Sequence, residues 1–166
     1  MNELIEKLIN ILEQEYTYYE TLFNLSILEK KLILALDTVG LISSAQEKNN
    51  IAQKLQTLES ERTNLVEKIS KALSKPLETF NLKELIDNID GEYKEKLIKI
   101  REKLQKKTEE LAKINRDNSN ILEKSLEFIN LAMSRFRTVL AKSISYSRSG
   151  KNIEKVSYGA LLQKEI

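Results

Sequence analysis

Residues 2–36 read NELIEKLINILEQEYTYYETLFNLSILEKKLILAL, and the spacing of their apolar side chains decides the fold. Leu4, Leu8 and Ile11, then Tyr18, Leu22 and Leu25, then Leu32 and Leu36 follow one another at alternating steps of four and three, with Glu15 and Glu29 breaking the series. An average step of about 3.5 is the heptad period of a helix lying along a partner helix. A second stripe, Ile5, Leu12, Tyr19 and Ile33 with Ile9, Tyr16 and Phe23 beside it, widens the apolar face beyond a two-stranded seam. That width calls for a bundle of three or more helices. At the helical rise the segment is about 50 Å long.

Asp37, Thr38, Val39 and Gly40 set a capping carboxylate, a hydroxyl and a glycine side by side, the strongest helix-to-helix punctuation in the first half. So short a connection predicts antiparallel neighbours. The second helix carries Leu41, Ala45, Ala52, Leu55, Leu58, Leu65, Ile69 and Leu73, and its polar middle, Gln46 to Asn50, predicts weak contact there. Pro76 ends it, because proline lacks a donor and biases Lys75 away from helix. Asn81 and Glu84 then stand as a capping box before Leu82, Leu85, Ile86 and Ile89, which predicts a short connecting helix.

The third long helix starts near Glu92 and extends to about Ile144, keeping the heptad period through Leu97, Ile100, Leu104, Leu111 and Ile114, then Ile121, Phe128 and Val139. Asn118 and Ser125 are polar residues on that seam. From Ile121 onward a second stripe appears, Leu122, Leu126, Ile129, Met133, Phe136 and Leu140. This helix outruns the two it packs on and is expected to overhang them by about 15–25 Å. The overhang carries the doubled stripe, and an apolar patch of that kind marks a partner site. The fold expected is all-α: an elongated antiparallel bundle of three long helices with coiled-coil-like packing, a short connecting helix and a flexible tail. The bundle occupies residues 1–144 and the tail 145–166, where Ser143, Ser145, Ser147 and Ser149 alternate with other residues and periodicity stops.

Composition narrows function. The chain has 166 residues, 41% hydrophobic and 31% charged, with only 4 Gly and 1 Pro, which is too little punctuation for a β-sandwich. Cys and His are both absent, which excludes disulfides, Cys/His zinc sites, histidine-based nucleophilic triads and Glu-x-x-His di-iron sites. A net charge of +2 does not favour nucleic acid as a partner. Arg135, Arg137, Lys142, Arg148 and Lys151 make a locally basic interval, but they are interleaved with the apolar stripe and lack an aromatic platform. Glu3 and Glu6 do not read as a secretory leader, no apolar run is long enough to span a bilayer, and the cytosol is the expected compartment.

Ser149-Gly150-Lys151-Asn152 fails as a phosphate loop, since Ser145 stands where glycine is needed and Asn152 where a magnesium-binding hydroxyl belongs. Asn24-Leu25-Ser26 fits a glycosylation sequon but lies within a helix, where chance accounts for it. Glu13 with Glu20, and Glu109 with Glu110, read as salt-bridged exposed faces and not as a metal or acid–base pair, so no enzymatic activity and no cofactor are expected. Tyr16, Tyr18, Tyr19 and Phe23 are expected to pack in the core. Tyr146 differs, as an aromatic in a basic, Ser-rich segment and hence a docking anchor.

The run Leu111-Ala-Lys-Ile-Asn115-Arg-Asp-Asn118-Ser-Asn-Ile-Leu122-Glu-Lys-Ser125-Leu126-Glu-Phe128-Ile129 resembles the N-x-x-N-x-x-x-L-x-x-S-L-x-x-I helix of the FlgN family, export chaperones for flagellar hook-filament junction proteins. Glu15 with Tyr19 and Leu22, Glu29 with Leu32 and Ile33, Leu58-Glu59 with Arg62 and Leu65, and Tyr146-x-x-x-Gly150 agree with it in order, so the likeness covers nearly the whole chain. The resemblance implies a non-enzymatic cytoplasmic chaperone of the flagellar type III secretion system. Such a chaperone binds hook-associated junction proteins, keeps their C-terminal helical segments from associating early, and delivers them to the export gate at the membrane. By the same likeness, cargo maps onto Leu122, Leu126, Ile129, Met133, Phe136 and Leu140, and docking at the gate's cytoplasmic domain maps onto Tyr146. Two stretches depart from the family pattern, Gln46 to Asn50 and the end of the tail at Tyr158-Gly159-Ala-Leu161-Leu162. The alternative from another class is a structural coiled-coil protein that uses the stripe for self-association. Monomer and homodimer both stay open, and neither nucleic acid nor stable membrane insertion is expected.

Overall fold

A computed structural model describes residues 1–76 and 80–146, with side chains to residue 138. It consists of α1 (Asn2–Ala35), α2 (Thr38–Ala72), the short α3 (Leu82–Asp87) and α4 (Glu92–Tyr146), with no strand among the described residues. The three long helices and the short connector stand where hydrophobic periodicity puts them. The chain divides into two compact units, Met1–Ser125 and Leu126–Ile166.

Within the first unit α1 and α2 run antiparallel, as shown by the pairs Glu15 with Arg62 and Glu29 with Lys48. α4 runs parallel to α1: Tyr93 Oη donates to Glu6 Oε1 and Ser26 Oγ to Asn115 Oδ1, separations of 87 and 89 residues. The core gathers where α3 joins the long helices. Ile5, Leu8, Ile9 and Leu12 of α1 meet Leu65 and Ile69 of α2, Phe80, Leu85 and Ile86 in and before α3, and Leu97 and Ile100 of α4. Each such side chain, fully buried, contributes about 1.5–3 kcal/mol relative to exposure.

The C-terminal ends of α1 and α2 are built without left-handed glycines. After α1 the backbone turns at Leu36 (φ 55°, ψ 30°), where Leu36 N–H donates to Ile33 O at 3.1 Å and Asp37 N–H to Leu32 O at 3.0 Å. After α2 the same double bond closes at Ser74 (φ 55°), from Ser74 N–H to Lys71 O and from Lys75 N–H to Ser70 O. Both are Schellman closures, which glycine ordinarily serves. Asp37 does cap α2, its Oδ1 accepting from Gly40 N–H at 2.9 Å. Gly40 is not the turning residue. It lies within α2, where a Cβ would come within 2.6 Å of Asp37 Oδ2 and 2.7 Å of Leu32 Cδ2, so glycine there makes room for the cap. Asn81 caps α3 by accepting from Lys83 N–H at 2.9 Å and Glu84 N–H at 3.1 Å.

Three local expectations are modified. Gln46 to Asn50 is exposed, in keeping with weak contact, except at half-buried Lys48, whose Nζ reaches Glu29 Oε2 at 2.6 Å. Tyr16, Tyr18, Tyr19 and Phe23 are half-buried instead of enclosed. Lysines lie over three of these rings: Lys103 on Tyr16, Lys54 on Tyr18 and, at 4.5 Å from the centroid, Lys107 on Phe23. Ammonium groups over aromatic faces are attracted by the ring quadrupole, so these rings hold the flank by both packing and charge. Finally, α4 continues through Tyr146, two residues past the expected end at Ile144, and the rest of the expected tail, from residue 147 on, lies outside the described residues.

Candidate partner-binding site

No glycine or proline interrupts α4 between Glu92 and Tyr146, so the heptad register carries unbroken from core to stripe. Ser125 Oγ and Thr138 Oγ1 donate to the carbonyls of Ile121 and Ser134, one turn back, which occupies hydroxyls that would otherwise compete with the helix. In the first unit Leu122 is exposed. In the second, Leu126 is 53% exposed, Phe136 61% and Phe128 72%, and Ile129, Leu131 and Met133 are exposed as well. Leu122, Leu126, Ile129, Met133, Phe136 and Leu140 recur at steps of four and three along the helix. The side chains of Leu140 and Tyr146 lie outside the described residues. Phe128, on the heptad series, and Leu131 are exposed as well and enlarge the apolar surface beyond the stripe read from the sequence.

In the first unit a cleft of about 560 Å³ opens between the α1–α2 hairpin and α4. Its apolar lining is Ile33, Leu41, Ile42, Ala45 and Leu122, and its polar lining includes Glu29, Lys48, Asn115 and Asn118. Asn118 is 3% exposed; its Nδ2 donates to the Ser26 carbonyl at 2.7 Å and to Glu29 Oε2 at 2.9 Å. This polar layer ties all three long helices, and its members Asn115 and Asn118 are the asparagines of the motif quoted above. Periodicity showed Asn118 as a polar residue on the seam; that Glu29 and Lys48 complete its network was not legible, since nothing local to either residue names the partner. The exposed hairpin residues Leu34, Leu36, Val39 and Ile42 were likewise missed. Their signal is a segment from Lys31 to Glu47 whose only charge between those ends is Asp37.

Further down the hairpin, Glu15 is buried and its Oε1 accepts from Arg62 Nε at 3.0 Å. Burial raises the Glu15 carboxyl above its ordinary pKa, outweighing the nearby guanidinium. Burial also raises the neighbouring Tyr19 phenol, with Glu15 and Glu59 adding to the shift. Glu15, Tyr19, Glu59 and Arg62, all quoted in the resemblance, therefore share one semi-buried patch. Among the described residues no group of three or more acidic side chains could hold a metal ion.

The second unit offers apolar surface on α4, and the first a structural polar layer that joins its three long helices. The family model described as FlgN protein matches residues 1–154, almost the whole chain, including both the polar layer and the stripe. The chain belongs to the FlgN family. That membership supports a role in flagellum biogenesis as an export chaperone that binds flagellar proteins. No curated protein and no solved structure shows significant similarity to the chain. Among the described residues, no helix is long and apolar enough to cross a membrane.

Proposed function

We propose that this FlgN-family chain is a non-enzymatic cytoplasmic chaperone that binds hook-filament junction proteins through Leu122, Leu126, Ile129, Met133, Phe136 and Leu140. The observation that carries the reading is the exposure of Leu126, Phe128, Ile129, Leu131, Met133 and Phe136 within about three helical turns of one another. An amphipathic helix of the cargo lays its apolar face on this surface, completing a helical layer. An interface of standard size covers about 800 Å² on each partner. Tyr146 docks the loaded chaperone at the cytoplasmic domain of the export gate, with residues 1–144 as the chaperone domain and 145–166 as the segment that reaches the gate.

Replacing Phe136 or Ile129 by Asp sets a carboxylate on the covered face. Titration calorimetry with a junction protein should then show binding abolished while circular dichroism keeps the full helical signal; unchanged affinity would refute the assignment. Tyr146→Ala should retain cargo binding and impair filament assembly, and normal filaments in that variant would remove the docking role. Light scattering on the free chain separates cargo binding from self-association, because a dimer sealed along the stripe leaves no apolar face for a second protein.

A further inference from the structure

Asn118 holds a buried acceptor with nothing to accept from. Both Nδ2 hydrogens are committed, to the Ser26 carbonyl and to Glu29 Oε2. Because those partners only accept, the amide cannot turn over without setting its oxygen against theirs. Oδ1 is thereby fixed in place, and it is buried without a hydrogen-bond partner. A buried acceptor in this state raises the free energy of the chain until a donor reaches it. Asn118 lines the cleft between the α1–α2 hairpin and α4, whose walls are Ile33, Leu41, Ile42 and Leu122. Leu122, one turn after Asn118, lines the same cleft and is exposed.

We propose that this cleft receives the helix of the cargo, and that Asn118 Oδ1 accepts a hydrogen bond from an uncharged donor on that helix, a hydroxyl or primary amide set among aliphatic residues. The inference rests on the reading that cargo covers α4 from Leu122 onward. An uncharged donor fits because Lys48 Nζ, 2.6 Å from Glu29 Oε2, already neutralises the one carboxylate of the floor and repels a second cation. Aliphatic flanks fit because the walls are aliphatic, and a helix presents such residues together with one polar side chain on the same face at spacings of three and four. Asn118 is then a specificity residue: a cargo helix with leucine at that position covers the stripe but leaves the acceptor unpaired.

The test is titration calorimetry of the full chain against a peptide spanning the C-terminal helical segment of a junction protein. A series of that peptide has each Ser, Thr, Asn and Gln changed in turn to Ala. One replacement should weaken binding about tenfold, the range for one buried hydrogen bond. Asn118→Leu in the chaperone should weaken the parent peptide to the same degree and be insensitive to that replacement. If no replacement weakens binding, or if the sensitive one weakens it equally against Asn118→Leu, the proposal is overturned. Should Asn118→Leu not fold by circular dichroism, the peptide series against the unaltered chain decides alone. Ile129→Asp separates the two readings: loss of binding there with a flat peptide series sinks only the donor at Asn118, whereas unchanged binding sinks the cargo reading and this inference with it. A free chain that is dimeric, and that Asn118→Leu makes monomeric, would place a second copy in the cleft and overturn the proposal.

Discussion

The two ends of the first unit are built on the same heptad period and could hardly be more different in chemistry. Where α3 joins the long helices, the buried cluster of Ile5, Leu8, Leu12, Leu65, Ile69, Leu97 and Ile100 is apolar, with the Tyr93–Glu6 hydrogen bond outside it. Toward the α1–α2 hairpin the buried positions mix Leu25, Ile33 and Ile51 with Ser26, Ser44 and Asn118, and Asn118 is tied to the Glu29–Lys48 pair, while Leu34, Leu36, Val39 and Ile42 are exposed. The first end supplies stability, because burial of apolar area is the dominant favourable contribution. The second fixes register, since its hydrogen bonds are satisfied only when Asn118 lies beside Ser26 and Glu29, and a slipped pairing would bury polar groups alone. One period thus sets where helices touch, and residue type at the touching positions sets whether contact yields stability or alignment.

The sharpest way to test this comparison is to cut a side chain of the apolar end and, as a control, one of the exposed stripe in the second unit. Leu97→Ala removes a fully buried leucine, and urea unfolding should show a loss of about 3–4 kcal/mol. Leu126→Ala, at a half-exposed position of α4, should stay within about 0.5 kcal/mol of wild type. Equal losses would mean that the stripe is part of the core. A smaller effect is expected at the hairpin, where Asp37→Ala deletes the carboxylate that caps α2 and should cost about 1 kcal/mol by the same measurement. Leu36→Gly acts in the opposite sense: it relieves a left-handed leucine that is largely exposed, and a gain of about 0.5–1 kcal/mol is expected. A loss there would show that Leu36 is held by contacts worth more than its backbone strain.

The smallest predicted effect is a slope. The Glu15 carboxyl is raised above its ordinary 4.5 by burial, so the folded chain holds that proton more tightly than the unfolded chain does. Its contribution to stability is whole below the unfolded value and is lost as pH rises through the raised one. Glu15→Gln removes this loss, so the stability of the variant relative to wild type should improve as pH increases from about 4 to 7. A difference independent of pH would place the Glu15 side chain in water.

The helices were legible because long, strongly periodic segments with few glycines leave little choice: the α1 stripe, the break at Asp37, the Asn81 cap and the start of α4 all stand where the spacing puts them. Partnerships across helices were not. Glu15 and Glu29 looked like interruptions of a seam, whereas each is paired, with residues 47 and 19 positions away, and no local pattern specifies such a distance. Leu36 carried the right letter for the stripe and the wrong backbone, since left-handed geometry is imposed by the return of the chain and Leu has no sequence mark for it. The apolar surface of α4 was legible for the reason that makes it a candidate site: its leucines and phenylalanines outnumber the faces that a bundle of this size can enclose. The unpaired oxygen of Asn118 was not, because it follows from where Ser26 and Glu29 are held.

The parallel pairing of α1 with α4 has a consequence for synthesis. Glu6 waits for Tyr93, and Ser26 for Asn115, so the face that α1 turns to α4 has no partner until nearly ninety more residues have left the ribosome. At ordinary elongation rates that is about 4–18 s. During this interval the nascent chain can close only its α1–α2 hairpin, with the leucines meant for α4 uncovered in a crowded cell.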